Sequence, residues 1–375
     1  MKKIRVGITG YTGFIGSHLV DRLSRESNIS IVPIDDSLFQ SAEQLKDPIK
    51  NCDCIVHFAG MNRGEEKEIY ATNIRLSQTL VKCFEETDKK PHLIFASSIL
   101  SNADSAFGRS KKESCDIFAD WAKRNKANVS LLTIPNVFGD RGKPFYNSVI
   151  ATFCYQLTHG QEPKVIQDRE IELIYINELI DTIVKVINQP SQGIQNIRIP
   201  GTKNIKVSEL LKILENFKDC FFKKRVVPSL TEPFLINLYN VFLSYLDYDD
   251  LSFTPQVHGD ERGELFEIVK LAQGGQVFFS TTKPGIVRGN HYHIRKLEKF
   301  CVLKGNAIIR MRRIGTDKIQ EFKIDSRKPT FIDIPIFHTH HIENAGQDDL
   351  LTLFWSNELF DAADPDIFYE EVVKS

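Results

Sequence analysis

Short apolar runs alternate with amphipathic stretches through the first half of the chain. Ile4–Ile8, Ile29–Ile34, Asp53–Phe58, His92–Ala96, Val129–Ile134 and Glu172–Ile176 have the length and near-continuous apolar character of buried strands. Between them, Phe14–Arg25, Tyr70–Glu86, Lys111–Arg124 and Glu178–Asn188 repeat their apolar residues with helical spacing. This alternation predicts an α/β fold, a doubly wound parallel sheet covered on both faces. After about residue 225 the texture changes. Pro228, Pro233 and the aromatic-rich stretch Phe234, Leu238, Tyr239, Phe242, Tyr245 and Leu246 predict a helical connector. Beyond Leu251, short β-rich runs dominate: Glu264–Lys270, Gln276–Thr281, Lys299–Leu303, Ala307–Arg312, Ile319–Ile324, Thr330–Ile334 and Leu350–Trp355. Gly274-Gly275, Pro284-Gly285 and Gly305-Asn306 punctuate them, as in an antiparallel all-β barrel or sandwich. The expected division is therefore residues 1–246 and 247–375.

Composition narrows the class. A chain of 375 residues suits two cores rather than one. With a net charge of −1 there is no global field for nucleic acid or an anionic membrane, and neither is expected as a partner. No apolar run approaches the roughly 18 residues of a membrane span. The start, Met1-Lys2-Lys3-Ile4-Arg5-Val6, runs directly into a strand rather than into the apolar core of a signal peptide. Seven cysteines, an odd number with no Cys-x-x-Cys pair, fit free thiols in a reducing cytoplasm.

The first chemical signal follows the first strand. Gly10-Tyr11-Thr12-Gly13-Phe14-Ile15-Gly16 spaces its glycines Gly-x-x-Gly-x-x-Gly at a strand–helix junction. Such a loop lets backbone approach a pyrophosphate while a helix N-terminus offers free N–H groups. The second strand ends at Asp35-Asp36, nineteen residues beyond Gly16. A carboxylate there accepts from a ribose 2′-hydroxyl and repels a 2′-phosphate, favouring NAD over NADP. A solvated turn is the plainer explanation for Asp35-Asp36-Ser37.

Together with His57-Phe58-Ala59-Gly60, Asn73 and Ala96-Ser97-Ser98, this loop resembles the extended short-chain dehydrogenase/reductase family, which acts largely on nucleotide sugars. The resemblance implies a Rossmann-type fold and an NAD or NADP site built from Gly10, Gly13, Phe14, Ile15, Gly16, Asp35, Asp36, Ala59 and Lys111. It also implies a catalytic Ser/Thr followed by Tyr-x-x-x-Lys on one helix face. Ser98 and Lys111 match, but the tyrosine position holds Phe107, which has no proton to give. Three explanations fit: a change that traps an inactive enzyme, another proton donor, or a domain that has lost reduction and only binds.

The second signal lies near the other end. It reads Gly285-x₅-His291-Tyr292-His293-x₄-Glu298-x₆-Gly305, then Pro335-x₄-His340-x₃-Asn344. Residues two apart on a strand face one side, so His291 and His293 are expected to point together, with Glu298 and His340 completing a four-ligand set. Such ligands suit zinc, iron, manganese or nickel, with zinc the first expectation. His258, His338 and His341 are alternatives or bystanders. The spacing resembles both motifs of the cupin superfamily, a jelly-roll barrel, except that Phe337 stands where glycine is usual. Upstream, Asp260-Glu261-Arg262-Gly263 is similar to the opening strand of cupin epimerases acting on nucleotide-linked 4-keto-sugars, which points to Arg262 as a diphosphate contact.

The pairing of the two domains, with the blocks Lys143–Tyr155, Gly289–His293 and Ile342–Asn344, resembles the CapF-type family of bifunctional capsular polysaccharide enzymes over essentially the whole chain. That resemblance implies a homodimer. It implies C3 epimerisation of a UDP-4-keto-6-deoxy-HexNAc by the cupin. NADPH-dependent C4 reduction to UDP-2-acetamido-2,6-dideoxy-L-talose, on the way to UDP-N-acetyl-L-fucosamine, would follow. Phe107, the Asp35-Asp36 pair and Thr133, where the extended family usually has Arg, depart from the pattern. Asn136, Asn147 and Arg169 are the remaining candidates for UDP-sugar contacts. The rival expectations are an isomerase with a reductase-inactive N-terminal domain, and a non-catalytic sensor that holds NAD and metal as ligands.

Overall fold

Apolar runs in the first half pair side by side as parallel strands. In the computed structural model, which describes residues 3–374, the first unit runs to Glu215 and takes in Glu232–Leu246. Its strands are β1 (Ile4–Thr9), β2 (Ile29–Ile34), β3 (Cys54–His57), β4 (His92–Ser98), β5 (Val129–Ile134), β6 (Asn136–Phe138), β7 (Glu170–Tyr175), β8 (Ile194–Arg198) and β9 (Lys203–Lys206). Its helices are α1 (Phe14–Leu23), α2 (Ala42–Lys50), α3 (Glu66–Thr87), α4 (Ala106–Asn125), α5 (Val149–Thr158) and α6 (Ile176–Asn188), with α7 (Val207–Lys218) and α8 (Pro233–Leu243) after them.

The main sheet has the order β2-β1-β3-β4-β5-β8, with every pair parallel. Successive strand residues point to opposite faces, and both faces are covered. Leu80, Phe84, Phe118 and Trp121 of α3 and α4 pack over Ile55, Leu93, Phe95 and Leu131. Leu19, Leu23, Leu179 and Ile183 of α1 and α6 pack over Val6, Ile8, Val56, Ile94 and Leu132. This is why the central strands read as continuous apolar runs. The strand order reverses between β1 and β3, so their C-terminal ends flank the crevice in which doubly wound sheets bind ligands.

Two expectations shift. Glu170–Tyr175 does not join the main sheet. It pairs with β6 and β9 in a separate three-stranded sheet, and β8 takes the sixth place. As an edge strand reading Ile-Gln-Asn-Ile-Arg, β8 lacks the apolar run that marks a buried one. The helix expected from Lys111 begins at Ala106, because Ser105 Oγ accepts from Gly108 N at 3.1 Å and caps a polar first turn. Phe107 and Lys111 therefore share one helix. Among the described residues no helix is long and apolar enough to cross a membrane.

The second unit comprises Asn216–Thr231 and the chain from Asp247. Its strands are β10 (His258–Asp260), β11 (Gly263–Lys270), β12 (Gln276–Thr282), β13 (Val287–Tyr292), β14 (Glu298–Lys304), β15 (Asn306–Arg313), β16 (Ile319–Asp325), β17 (Phe331–Ile334), β18 (His338–Asn344), β19 (Leu350–Ser356) and β20 (Phe368–Tyr369). They form two sheets of the expected all-β, jelly-roll kind, β10-β11-β12-β19-β14-β17 and β16-β15-β18-β13-β20. Phe300, Ile334 and Phe354 of one sheet pack against Ile309, Met311 and Ile342 of the other. The hydrophobic pattern did not mark β13 and β18, because both carry polar and histidine side chains into the interior.

Candidate active sites

At the crevice, the Thr9 hydroxyl joins the ends of β1 and β3. Its oxygen accepts from Phe58 N at 3.2 Å and Ala59 N at 3.1 Å, and lies 2.7 Å from Nδ1 of His57. With both lone pairs used, its proton points at His57, which is therefore neutral. Burial, with Lys111 nearby, pushes that imidazole down to about 3. Gly10 turns with φ 62°, Gly13 precedes the helix, and α1 begins at Phe14-Ile15 with no side chain capping its first N–H groups. A Cβ on Gly16 would stand 2.2 Å from the Gly10 carbonyl oxygen, so helix and loop touch backbone to backbone there. Gly16→Ala is expected to push the loop open and abolish measurable dinucleotide binding in a calorimetric titration while the second unit still folds. Asp35 and Asp36 follow β2, with the Asp35 carboxylate accepting from Ser37 N at 2.9 Å and Asp36 beside the Gly10 amide.

Helix α4 presents Lys111 to the same crevice. Its Nζ donates to Ala96 O at 2.8 Å and sits 4.7 Å above the Phe95 ring and 5.7 Å from the centre of the Phe107 ring. Burial pushes this amine down to about 8. Asn73 braces the neighbourhood, donating to Ser110 Oγ at 2.9 Å and accepting from Met61 N at 2.7 Å. Ser98, half-buried at the end of β4, accepts from Leu100 N at 3.1 Å. No hydroxyl stands at Phe107.

Asn136, Asn147 and Arg169 line one cleft of about 1000 Å³ in this unit. Asn136 Nδ2 is tied to Glu172 O at 3.1 Å, whereas Asn147 and Arg169 are exposed. Arg63, which no sequence motif marks, and Tyr146, which lies in the Lys143–Tyr155 block without an implied role, line the same cleft. Arg63 donates to Phe145 O and to Tyr146 O, and the Tyr146 hydroxyl donates to Asn62 Oδ1 at 2.6 Å. The loop after β3 is thereby fastened to the loop that carries Asn147. The only signal for Arg63 was its nearness to His57–Gly60, and that for Tyr146 its place in the Lys143–Tyr155 block.

In the second unit the structure gathers His291, His293, Glu298 and His340, with one ligand atom from each lying within 4.8 Å of the others. His293 Nδ1 faces Asp366 O at 2.5 Å and His340 Nδ1 faces His338 O at 3.1 Å. A carbonyl only accepts, so each Nδ1 carries a proton and each ring turns its Nε2 toward Glu298. Both Nε2 atoms are buried without a hydrogen-bond partner, and each lies 3.3 Å from the same Glu298 oxygen. Two imidazole nitrogens and a carboxylate oxygen converging on one point make a donor set suited to a cation. Burial pushes the Glu298 carboxyl up, yet His293 and His340 outweigh it and hold the group well below the usual carboxylate range. Burial also pushes the His291 imidazole down, to about 4.

The geometry differs from a simple strand argument in one respect. The β13–β18 register slips between Gly289 and His291, with Asn290 at φ 59°, and the strand ends at Tyr292. His293 therefore reaches the cluster from beyond the strand. Phe337 adopts φ 58°, a left-handed conformation that glycine takes most easily, in keeping with the glycine usual at this place in the motif that the sequence resembles. Its N–H donates to His293 O at 2.8 Å, so the turn keeps its course despite the phenyl side chain.

Arg262 lies in the same unit but in a separate pocket of about 420 Å³, which Arg288, His258 and Asp260 also line. Its guanidinium is paired with Asp260 at 2.5 and 2.9 Å. A Cβ on Gly263 would stand 2.2 Å from Thr281 O, which accounts for the glycine after that arginine. Arg288 was not anticipated from sequence. Half-buried, it donates to Ser280 Oγ and Thr281 O, both at 3.0 Å, and adds a second cation to the pocket.

Residues 6–199 match the NAD dependent epimerase/dehydratase family, and residues 258–368 match the polysaccharide biosynthesis C-terminal domain. The chain is 32% identical to a UDP-2-acetamido-2,6-beta-L-arabino-hexul-4-ose reductase of Pseudomonas aeruginosa, across 97% of this chain and 98% of that protein. Among solved structures it is similar to the capsular polysaccharide assembling protein CapF of Staphylococcus aureus, at 34% identity and a TM-score of 0.86, covering 98% of this chain and all of that one. A UDP-glucose 4-epimerase of Thermotoga maritima shares the fold of the first unit at 19% identity and a TM-score of 0.52, over 57% of this chain and 82% of that one.

Proposed function

We propose, for a chain that belongs to the NAD dependent epimerase/dehydratase family and is an NAD(P)-dependent nucleotide-sugar enzyme of capsular polysaccharide assembly, a two-step reaction divided between its units. The second unit, a cupin, epimerises C3 of a UDP-4-keto-6-deoxy-HexNAc. The first reduces C4, giving UDP-2-acetamido-2,6-dideoxy-L-talose. The observation that carries the epimerase half is the converging set of His293, His340 and Glu298 lone pairs.

His291, His293, Glu298 and His340 would hold one divalent cation, zinc by preference, and such an ion supplies positive charge against the oxyanion that develops when a proton leaves C3. A base inside the barrel takes that proton, and its return to the opposite face inverts C3 with no change of redox state. Arg288 and Arg262 supply cations suited to the diphosphate. In the first unit the Gly10–Gly16 loop, Ala59 and Lys111 hold the dinucleotide, with Asp35 and Asp36 favouring NADH. A reduced nicotinamide supplies the hydride for C4. Lys111 and Ser98 border the place where the carbonyl oxygen must gain its proton, while Asn136, Asn147 and Arg169 hold the UDP-sugar. A soluble homodimer acting in the cytoplasm, with its main domain boundary after residue 246, completes the proposal.

The test is incubation with UDP-4-keto-6-deoxy-HexNAc in deuterated water, with and without NADH or NADPH. Deuterium entering C3 without cofactor is the expected result. No exchange and no cofactor oxidation would remove this substrate class.

The second reading, an isomerase whose first unit only binds, is favoured by one observation: no phenol at position 107. Exchange at C3 with every trace of reduction absent would select it.

A further inference from the structure

The last residues of the chain cross the strands that carry the histidines. β20 pairs with β13 at His291↔Tyr369 and Tyr292↔Phe368, and Glu370 N donates to Asn290 O at 3.0 Å. Arg312, 1% exposed, anchors the far end. Its guanidinium donates to Val372 O at 2.9 Å, Glu371 O at 2.7 Å and the Glu370 carboxylate at 2.8 Å.

At the near end stands Asp366, buried, with φ 53°. Its carboxylate accepts from three consecutive amides, Ile294 N at 3.2 Å, Arg295 N at 3.1 Å and Lys296 N at 2.8 Å. Its carbonyl accepts from Nδ1 of His293 at 2.5 Å. Lys296 Nζ closes the arrangement by donating to Pro365 O at 2.8 Å. The carboxylate thus grips the backbone just after His293, while the carbonyl of the same residue grips the imidazole.

We infer that Asp366 is a positioning residue for His293, and that the C-terminal strand is the strap that keeps it in place. This rests on reading His291, His293, Glu298 and His340 as a divalent-cation site. Ladder pairing of β13 stops one residue short of His293, so the strand alone does not fix where the ring points. The Asp366 carbonyl fixes both the ring's direction and its tautomer, leaving Nε2 free to ligate. Asp366 is not itself a ligand, because both carboxylate oxygens already accept backbone protons. Asp tolerates the left-handed backbone better than most residues, which suits it to this double task.

The full-length protein, its metal removed with a chelator, is titrated with Co²⁺ as the probe, for the wild type, D366A, D366N and His340→Ala. Affinity is read by competition with the chelator and ligand-field geometry from the visible absorption of the bound ion. Wild type is expected to bind one equivalent and His340→Ala to lose it. D366A should bind about 10–100-fold more weakly with a shifted spectrum. D366N, which keeps one acceptor oxygen and tolerates the same φ, should shift in the same direction by less. Should D366A fail to fold, the D366N spectrum decides. Wild-type affinity and an unshifted spectrum in the folded variants would overturn the inference, even if they melt at lower temperature. Equal Co²⁺ binding by wild type and His340→Ala would instead overturn the metal reading, and the inference with it.

Discussion

Phe107→Tyr raises the rate of NADH or NADPH oxidation on a UDP-4-keto-6-deoxy sugar by about 10²–10⁴, the usual contribution of a positioned general acid. The reason is local. Phe107 and Lys111 lie four residues apart on α4, on one helix face, with the ammonium 5.7 Å from the centre of the phenyl ring. A phenol oxygen added to that ring stands within reach of a cation that favours its ionised form, and a carbinol oxygen then has a proton to take. The ring is half-buried, so one added oxygen should change stability little. Deuterium exchange at C3 should be unaffected, because the proposal places that chemistry in the other unit. The measurement is cofactor absorbance against time for wild type and variant, with exchange followed in parallel. A wild type already as fast as the variant would mean that another group, with Ser98 and Lys111 first in line, delivers the proton. A variant as silent as a silent wild type would mean that the first unit binds without reducing.

His340→Ala is expected to cost more in metal affinity than the about 10–100-fold typical of outer-shell partners, and to stop C3 exchange. His340 is 1% exposed, and its Nε2 points at Glu298. Removing it takes one of the four proposed ligands and leaves a buried carboxylate with a weaker set of partners. Its neighbour supplies the control. His341 lies on the opposite face of β18, with Nδ1 3.0 Å from Asn290 Oδ1 and Nε2 3.4 Å from Arg310, so His341→Ala should keep the metal. Metal content by elemental analysis and exchange by mass spectrometry check both variants. Equal loss in the two would mean that strand stability, not ligation, is being read. Dinucleotide binding in the first unit should survive either change.

Much of this architecture was legible in the chain because burial imposes a period on sequence. The runs Ile4–Thr9, His92–Ser98 and Val129–Ile134 are mostly apolar, without strict alternation, because helices cover both faces of their sheet. The glycine loop was legible because backbone contact at Gly16 admits no side chain, and the identity of the four histidine and carboxylate residues because few structural roles need that spacing. Where burial is partial the pattern failed. β8 is an edge strand without the apolar run that Glu172–Ile176 carries outside the main sheet, while β13 and β18 turn polar side chains inward and do not alternate as half-buried strands do.

The sequence by itself determined the two-unit character, the class of each unit and the residue types available for chemistry, since these follow from composition and from periods shorter than one element. Only the tertiary structure decided how those residues meet. It showed Arg288 joining Arg262 in one pocket, Arg63 and Tyr146 fastening the cleft that holds Asn147, and His293 reaching its cluster from beyond its strand. Asp366 reaches His293 across 73 residues of chain. No local pattern records a contact of that span, because it depends on how sheets pair and where the last strand returns, not on the residues next to either partner.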